Sequence, residues 1–116
     1  MGKSSGKKGI KGSSKKNNPY LRLKKVEPAF IKALDELGSA ARKAGPLDEK
    51  TVQLIQLAAA AAIGSEGSVR SHARRALEDG AKAEEIRQAL MVLATVVGLP
   101  NVLAAMGWAD EVLAAK

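Results

Sequence analysis

Basic residues are distributed very unevenly along this chain of 116 residues, and their distribution limits which part of it can fold. The first twenty-five residues carry nine Lys or Arg and no acid, and Met1 and Ile10 are their only apolar side chains before Tyr20. Such a segment cannot bury a core, because nearly all of it is Lys, Gly, Ser and Asn. We expect residues 1–25 to be a disordered basic arm and residues 26–116 to form one small domain. The cations of the arm are Lys3, Lys7, Lys8, Lys11, Lys15, Lys16, Arg22, Lys24 and Lys25.

The rest of the chain has the pattern of α-helices. Pro28 suits the first turn of a helix, Asp48 is a good N-cap, and Gly80 is typical of the position after a helix. We find no strand pattern, so the predicted fold class is all-α, a compact helical bundle. A short extended anchor is expected at Tyr20–Leu23. The predicted helices lie at about 28–44, 49–63, 68–79, 83–97 and 100–116.

Several classes of function are excluded by composition. The chain has no Cys, so disulfides, thiol redox chemistry and thiolate metal sites are ruled out, and a single His argues against zinc. The longest apolar run, at residues 57–63, is far shorter than the roughly twenty residues that span a membrane. The N-terminus also lacks the apolar stretch of a secretory signal. We expect a cytoplasmic protein with no membrane span, no metal and no cofactor.

Several short motifs follow one another in a characteristic order along residues 45–100. Gly45-Pro46-Leu47-Asp48-Glu49-Lys50-Thr51 precedes an apolar helix, and Arg70-Ser71-His72, Gly80, Glu84-Glu85-Ile86 and Gly98-Leu99-Pro100 come after it. In this order and spacing, residues 46–112 resemble the carboxymuconolactone decarboxylase family, whose fold alkyl hydroperoxidase D-like proteins share. The resemblance implies a compact helical bundle that assembles into symmetric trimers or hexamers.

The hydroperoxidase branch of this fold uses a Cys-x-x-Cys pair and a His four residues after the second Cys. His72 matches that histidine, but Ser65 and Ser68 stand at the two cysteine positions. A serine hydroxyl cannot cycle through a disulfide, so thiol peroxidase or reductase activity is excluded. The relay carboxylate of that branch corresponds to Gln53, which cannot transfer a proton in that role.

The decarboxylase branch lacks redox cysteines and is more similar to this chain around residues 69–72. It usually has an acid four residues before the histidine, where this chain has Ser68. Glu66, the nearest acid, is six residues before His72 and would lie on another face of a helix. His72 is therefore either a general acid or base or a packing residue at a helix interface. A Ser68–His72 nucleophile would lack both an acid behind the histidine and a recognisable oxyanion hole.

Three arginines near His72 form a basic cluster on the third predicted helix. Arg70, Arg74 and Arg75 are candidate anion contacts, either for a polyanion or for a substrate carboxylate. Alternatively, they form a solvated face that pairs with acids of the same helix or of a neighbouring subunit.

The arm carries the strongest functional signal. Unopposed cations on flexible chain produce a large, salt-sensitive attraction to phosphate, and we find no recognition module that would add sequence specificity. We predict a non-catalytic binding or structural protein whose arm contacts nucleic acid, RNA or a ribonucleoprotein rather than free DNA. The alternative is a decarboxylase-branch enzyme that acts on a small lactone or carboxylate, with His72 as acid or base and Arg70 or Arg74 holding the carboxylate. An anionic membrane, or no fixed partner, remains an open alternative for the arm.

Overall fold

The computed structural model describes residues 18–115, in which it contains seven α-helices and no strand. The predicted all-α class is therefore confirmed. The chain divides into two compact units between Ala44 and Gly45. Within the described range, no helix is long and apolar enough to cross a membrane. The helices are α1 (Pro19–Val26), α2 (Pro28–Lys43), α3 (Glu49–Ala62), α4 (Glu66–Glu78), α5 (Ala83–Met91), α6 (Ala94–Val97) and α7 (Leu99–Ala114).

The described part of the first unit is a pair of helices, α1 and α2. The Asn18 side chain caps α1 by accepting hydrogen bonds from the backbone N–H groups of Tyr20 and Leu21, at 2.8 and 3.3 Å. The Tyr20 hydroxyl donates to the Asp35 carboxylate of α2, at 3.0 and 3.1 Å from its two oxygens. Ile31 on α2 is buried, with 2% of its surface exposed. These contacts hold a helix of only eight residues, which would be marginal in isolation.

The expectation of an extended, unstructured segment before residue 26 is wrong for its described part, because α1 occupies it. Asn18 is the N-cap and Pro19 the first residue of this helix. The contact from Tyr20 to Asp35 spans fifteen residues, so no local pattern indicates it. The predicted boundary between residues 25 and 26 falls inside α1, and residues 1–17 of the predicted arm lie outside the described residues.

The second unit packs its helices around a core of small and branched apolar side chains. The N-cap of α3 is Asp48, as predicted, and its carboxylate accepts the backbone N–H of Thr51 at 2.8 Å. From α4 the core receives three fully buried side chains that recur every three or four residues along one helix face. These are Val69, Ala73 and Ala76. The other side chains with no exposed surface are Leu57, Ile86, Leu90, Ala105 and Ala109.

The helix predicted at 83–97 is interrupted after Met91. The backbone N–H of Val96 bonds to the carbonyl of Leu93 at 2.8 Å. The backbone N–H of Leu93 likewise bonds to the carbonyl of Leu90, three residues earlier, at 3.1 Å. The bonds at this point thus follow the tighter 3₁₀ pattern, and the helix divides into α5 and α6.

Candidate functional site

The centre of the candidate site is a hydrogen bond between helices α3 and α4. His72, on α4, is half-buried, and its Nδ1 lies 2.9 Å from Oε1 of Gln53 on α3, whose side chain is buried. An amide oxygen can only accept, so this bond places a proton on Nδ1. In the neutral ring, Nε2 is then the proton-accepting nitrogen. The sequence does not reveal this contact directly, because it joins residues nineteen positions apart.

A second amide lies one turn further along α3. The Oε1 atom of Gln56 is buried and has no hydrogen-bond partner among residues 18–115. Gln53 and Gln56 are three residues apart on one helix, yet only the first has its acceptor oxygen satisfied there. Leaving a buried acceptor unpaired costs roughly 1–3 kcal/mol.

The nearest acid that precedes His72 in sequence is paired with an arginine. Glu66 is the first residue of α4, which begins two residues earlier than predicted, and its carboxylate lies 2.6 Å from the guanidinium of Arg70. A second carboxylate, Glu111 of α7, lies 2.9 Å from Nε of Arg70. These hydrogen bonds, chiefly that to Glu111, raise the pKa of Arg70 above its ordinary value.

The three arginines of the predicted basic cluster have different surroundings. Arg70 joins α4 to α7 through Glu111, so its guanidinium is already neutralised by carboxylates. Arg74 and Arg75 are exposed, and neither forms an ion pair within the described part of the chain. Glu111 is forty-one residues from Arg70, so this contact cannot be seen without the fold, whereas Glu66 is only four residues away.

Ser65 and Ser68 stand where the hydroperoxidase branch has its two cysteines. Ser65 is the N-cap residue of α4, but its side chain makes no capping hydrogen bond. Ser68 is half-buried on α4. No three His, Asp or Glu side chains of residues 18–115 converge in a group that could hold a metal ion.

The nine arm cations fall into two groups. Arg22, Lys24 and Lys25 lie on α1, and the two lysines are in its last turn, where positive charge is favourable to the helix dipole. Lys24 and Lys25 are exposed and form no ion pair with any residue in the range 18–115. The other six, Lys3, Lys7, Lys8, Lys11, Lys15 and Lys16, lie outside the described residues.

Comparison with known proteins places these helices in a family. The chain is 32% identical over 84 residues to an uncharacterised protein, MJ1511, of Methanocaldococcus jannaschii, an alignment that covers 72% of this chain and 78% of the relative. No solved structure gives a significant match. The family model of the carboxymuconolactone decarboxylase family matches residues 28–111, from the start of α2 into the last turn of α7. This chain therefore belongs to the carboxymuconolactone decarboxylase family.

Proposed function

We propose that this protein is a non-catalytic member of its family that binds RNA, alone or in a ribonucleoprotein, through the phosphates. The observation that carries the proposal is the segregation of charge: nine cations and no acid stand in residues 1–25, against ten basic and twelve acidic residues in the remainder. A polyanion releases counterions when it meets such a segment, which makes the attraction strong and sensitive to salt. Contacts of this kind position a protein on a nucleic acid without reading its sequence.

The contacts of Gln53 and Glu66, and the lack of Cys in the sequence, support a non-catalytic body. The ring nitrogen that would face a relay carboxylate is bonded instead to the amide of Gln53, which has no proton to exchange in that role. The carboxylate of Glu66 is paired with Arg70. With no Cys in the chain, the thiol chemistry of the hydroperoxidase branch has no nucleophile.

Helix α1 supports the binding role of the arm because three of the arm's cations, Arg22, Lys24 and Lys25, lie on it. Lys24 and Lys25 are side by side at the end of a helix that the Tyr20–Asp35 hydrogen bonds tie to α2. Cations held on a helix lose less conformational entropy on binding than the same cations on a flexible chain. Arg74 and Arg75 of α4 are a second pair of adjacent, exposed cations available for phosphate contacts.

Self-association is a further part of the proposal, and the family resemblance implies a trimer or a hexamer. The second unit exposes at least half of the surface of eight large apolar side chains. An isolated small domain rarely leaves so much apolar surface in water, so we infer that other copies cover part of it. These side chains are Leu47, Ile55, Ile63, Met91, Val92, Val96, Leu99 and Leu103.

Binding to a structured RNA at one fixed, low salt concentration tests the role of the arm. We expect the full chain to bind and a chain without residues 1–17 to bind much more weakly. The double variant Lys24→Gln/Lys25→Gln is expected to weaken binding, whereas the matched variant Lys82→Gln/Arg87→Gln, which removes the same charge from the second unit, leaves it nearly unchanged. Equal binding by the full and shortened chains would overturn the proposal.

One observation favours the second candidate, a decarboxylase-branch enzyme. The bond from Nδ1 to Gln53 orients the His72 ring and, when the ring is neutral, places its proton on Nδ1, which is the tautomer that a general base acting through Nε2 requires. This candidate predicts turnover of a small lactone or carboxylate that His72→Ala abolishes and that loss of residues 1–17 leaves intact. If no member of a panel of such compounds is turned over by the full chain, the non-catalytic proposal stands.

A further inference from the structure

A cavity of about 350 Å³ lies between helices α1 and α2. Lys24 lines it from α1, and its other lining residues all belong to α2, within residues 28–39. The first unit alone therefore forms this cavity. Its volume is at the lower end of the range for sites that hold a small organic group.

Part of the lining is apolar. The side chains of Pro28 and Ile31 line the cavity and consist of carbon atoms only. A flat ring system such as a nucleobase packs its faces on apolar side chains of this kind. The lining therefore suits a small group that has an apolar face.

The charges of the lining cancel. Its cations are Lys24 and Lys32, and its acids are Asp35 and Glu36. The ammonium of Lys32 lies 2.8 Å from Oε2 of Glu36, and the Asp35 carboxylate accepts from the Tyr20 hydroxyl. A phosphate inside the cavity would meet two carboxylates, whereas a neutral group with N–H donors would find acceptors, since each carboxylate has about four lone-pair sites. The cavity therefore favours a neutral donor over an anion.

Lys24 connects the cavity to the proposed RNA-binding arm. It is one of the nine cations of residues 1–25, and neither it nor Lys25 forms an ion pair with any residue in the range 18–115. A phosphate held by these lysines lies beside the cavity, so the attached base is the neutral group nearest to it. A paired base is stacked and its edge is occupied, whereas an unpaired base can be splayed out into a site.

We propose that the cavity between α1 and α2 holds one unpaired base of the RNA, with a neighbouring phosphate on Lys24. The base packs on Pro28 and Ile31 and donates from its Watson–Crick edge to Asp35. This contact rests on the RNA binding proposed above and restricts it to single strands and loops. Because every base has an N–H donor on that edge, the site selects unpaired RNA rather than a particular sequence.

Filling the cavity tests the contact. Ser39 lines the cavity and is half-buried, so Ser39→Leu places a larger apolar side chain there. Ala40→Leu, at the next position of α2 and outside the lining, is the matched control. Leu is a good helix former, so the helical content of both variants is expected to match that of the wild type.

The readout is affinity for a single-stranded RNA and for a duplex of the same length. We expect Ser39→Leu to weaken binding of the single strand about 5- to 100-fold and to leave binding of the duplex nearly unchanged. Ala40→Leu is expected to change neither. Wild-type binding of the single strand by Ser39→Leu, or equal weakening for both RNAs, would overturn the proposal, and these results are expected if anything other than a base fills the cavity.

A second pair of variants tests the acceptor. Tyr20→Phe and Asp35→Ala both remove the hydrogen bond between these side chains, but only Asp35→Ala removes the carboxylate from the cavity. We therefore expect the ratio of single-strand to duplex affinity to fall further in Asp35→Ala than in Tyr20→Phe. Equal ratios in the two variants would contradict a base that donates to Asp35.

Salt dependence separates this contact from phosphate binding by the arm. A base in the cavity releases no counterions, so Ser39→Leu is expected to keep the wild-type salt slope, whereas loss of residues 1–17 lowers the slope for both RNAs. If binding depends on residues 1–17 but Ser39→Leu has no effect, only the base contact is overturned. If the full and shortened chains bind equally, the RNA-binding proposal fails and the base contact fails with it.

Discussion

The Nδ1 atom of His72 is hydrogen-bonded to the side-chain amide of Gln53. That bond decides which ring nitrogen carries the proton, and it is made between two helices that form the centre of the second unit. The position of Gln53 in the family pattern is visible in the sequence, but its 2.9 Å contact depends on how α3 and α4 pack. Gln56, one turn away, has no comparable partner for its oxygen in the described range.

The two glutamines provide a matched pair of variants. Gln53→Leu removes the partner of His72 Nδ1 and leaves that donor unpaired, so we expect the free energy of unfolding to fall by about 1–3 kcal/mol. Gln56→Leu removes an acceptor that is already unpaired, so its effect is expected to be neutral or stabilising. Urea unfolding measures the free energy of unfolding of both variants. Equal losses would show that the hydrogen bond between Gln53 and His72 does not add to stability.

The cap of α3 predicts a dependence of stability on pH. Hydrogen bonds from the side chain and backbone of Thr51 lower the pKa of Asp48, so the charged form is favoured in the folded state. A lowered folded pKa gives stability that is present above the ordinary Asp pKa and is lost as the pH falls through the folded value. Asp48→Asn keeps a capping oxygen but cannot ionise. We therefore expect its melting temperature to decline less with acid than that of the wild type, and identical profiles would contradict this account.

At the scale of elements, some boundaries follow from local chemistry and others do not. The N-cap at Asp48 and the turn at Gly80, which has a φ of 98°, depend on a few adjacent residues and were correctly predicted. Helix α1 was missed, because its stability depends on the distant Asp35. The break between α5 and α6 was also missed, since the apolar spacing continues across residues 91–94 and does not reveal the change to bonds between residues three apart.

Helix α1 is expected to loosen when its contact with α2 is removed. Tyr20→Phe deletes the hydroxyl that donates to Asp35 and leaves the ring in place. Because the pair is exposed, we expect the free energy of opening of α1 to fall by only about 0.5–1.5 kcal/mol. Hydrogen exchange of the amides of residues 22–26 reports this change, and the amides of α7 serve as the internal control. Unchanged exchange in α1 would show that the hydrogen bond does not hold the helix.

At the scale of the whole molecule, the cluster of basic residues and the residues that match the family occupy different parts of the chain. The family fold lies within residues 28–111, whereas nine of the nineteen Lys and Arg precede it in residues 1–25. The family assignment and the all-α class were both predictable from motif order and apolar spacing. The ion pair between Arg70 and Glu111 was not, because Glu111 is brought to the guanidinium only by the packing of α4 against α7.

The salt dependence of RNA binding tests the central claim most directly. If all nine cations neutralise phosphates, the logarithm of the binding constant falls with the logarithm of salt concentration with a slope of about −6 to −8. A chain without residues 1–17 keeps Arg22, Lys24 and Lys25, so its slope is expected to be about −2 to −3. A shallow slope for both chains, or a steep slope that the shortened chain retains, would contradict RNA binding through the arm.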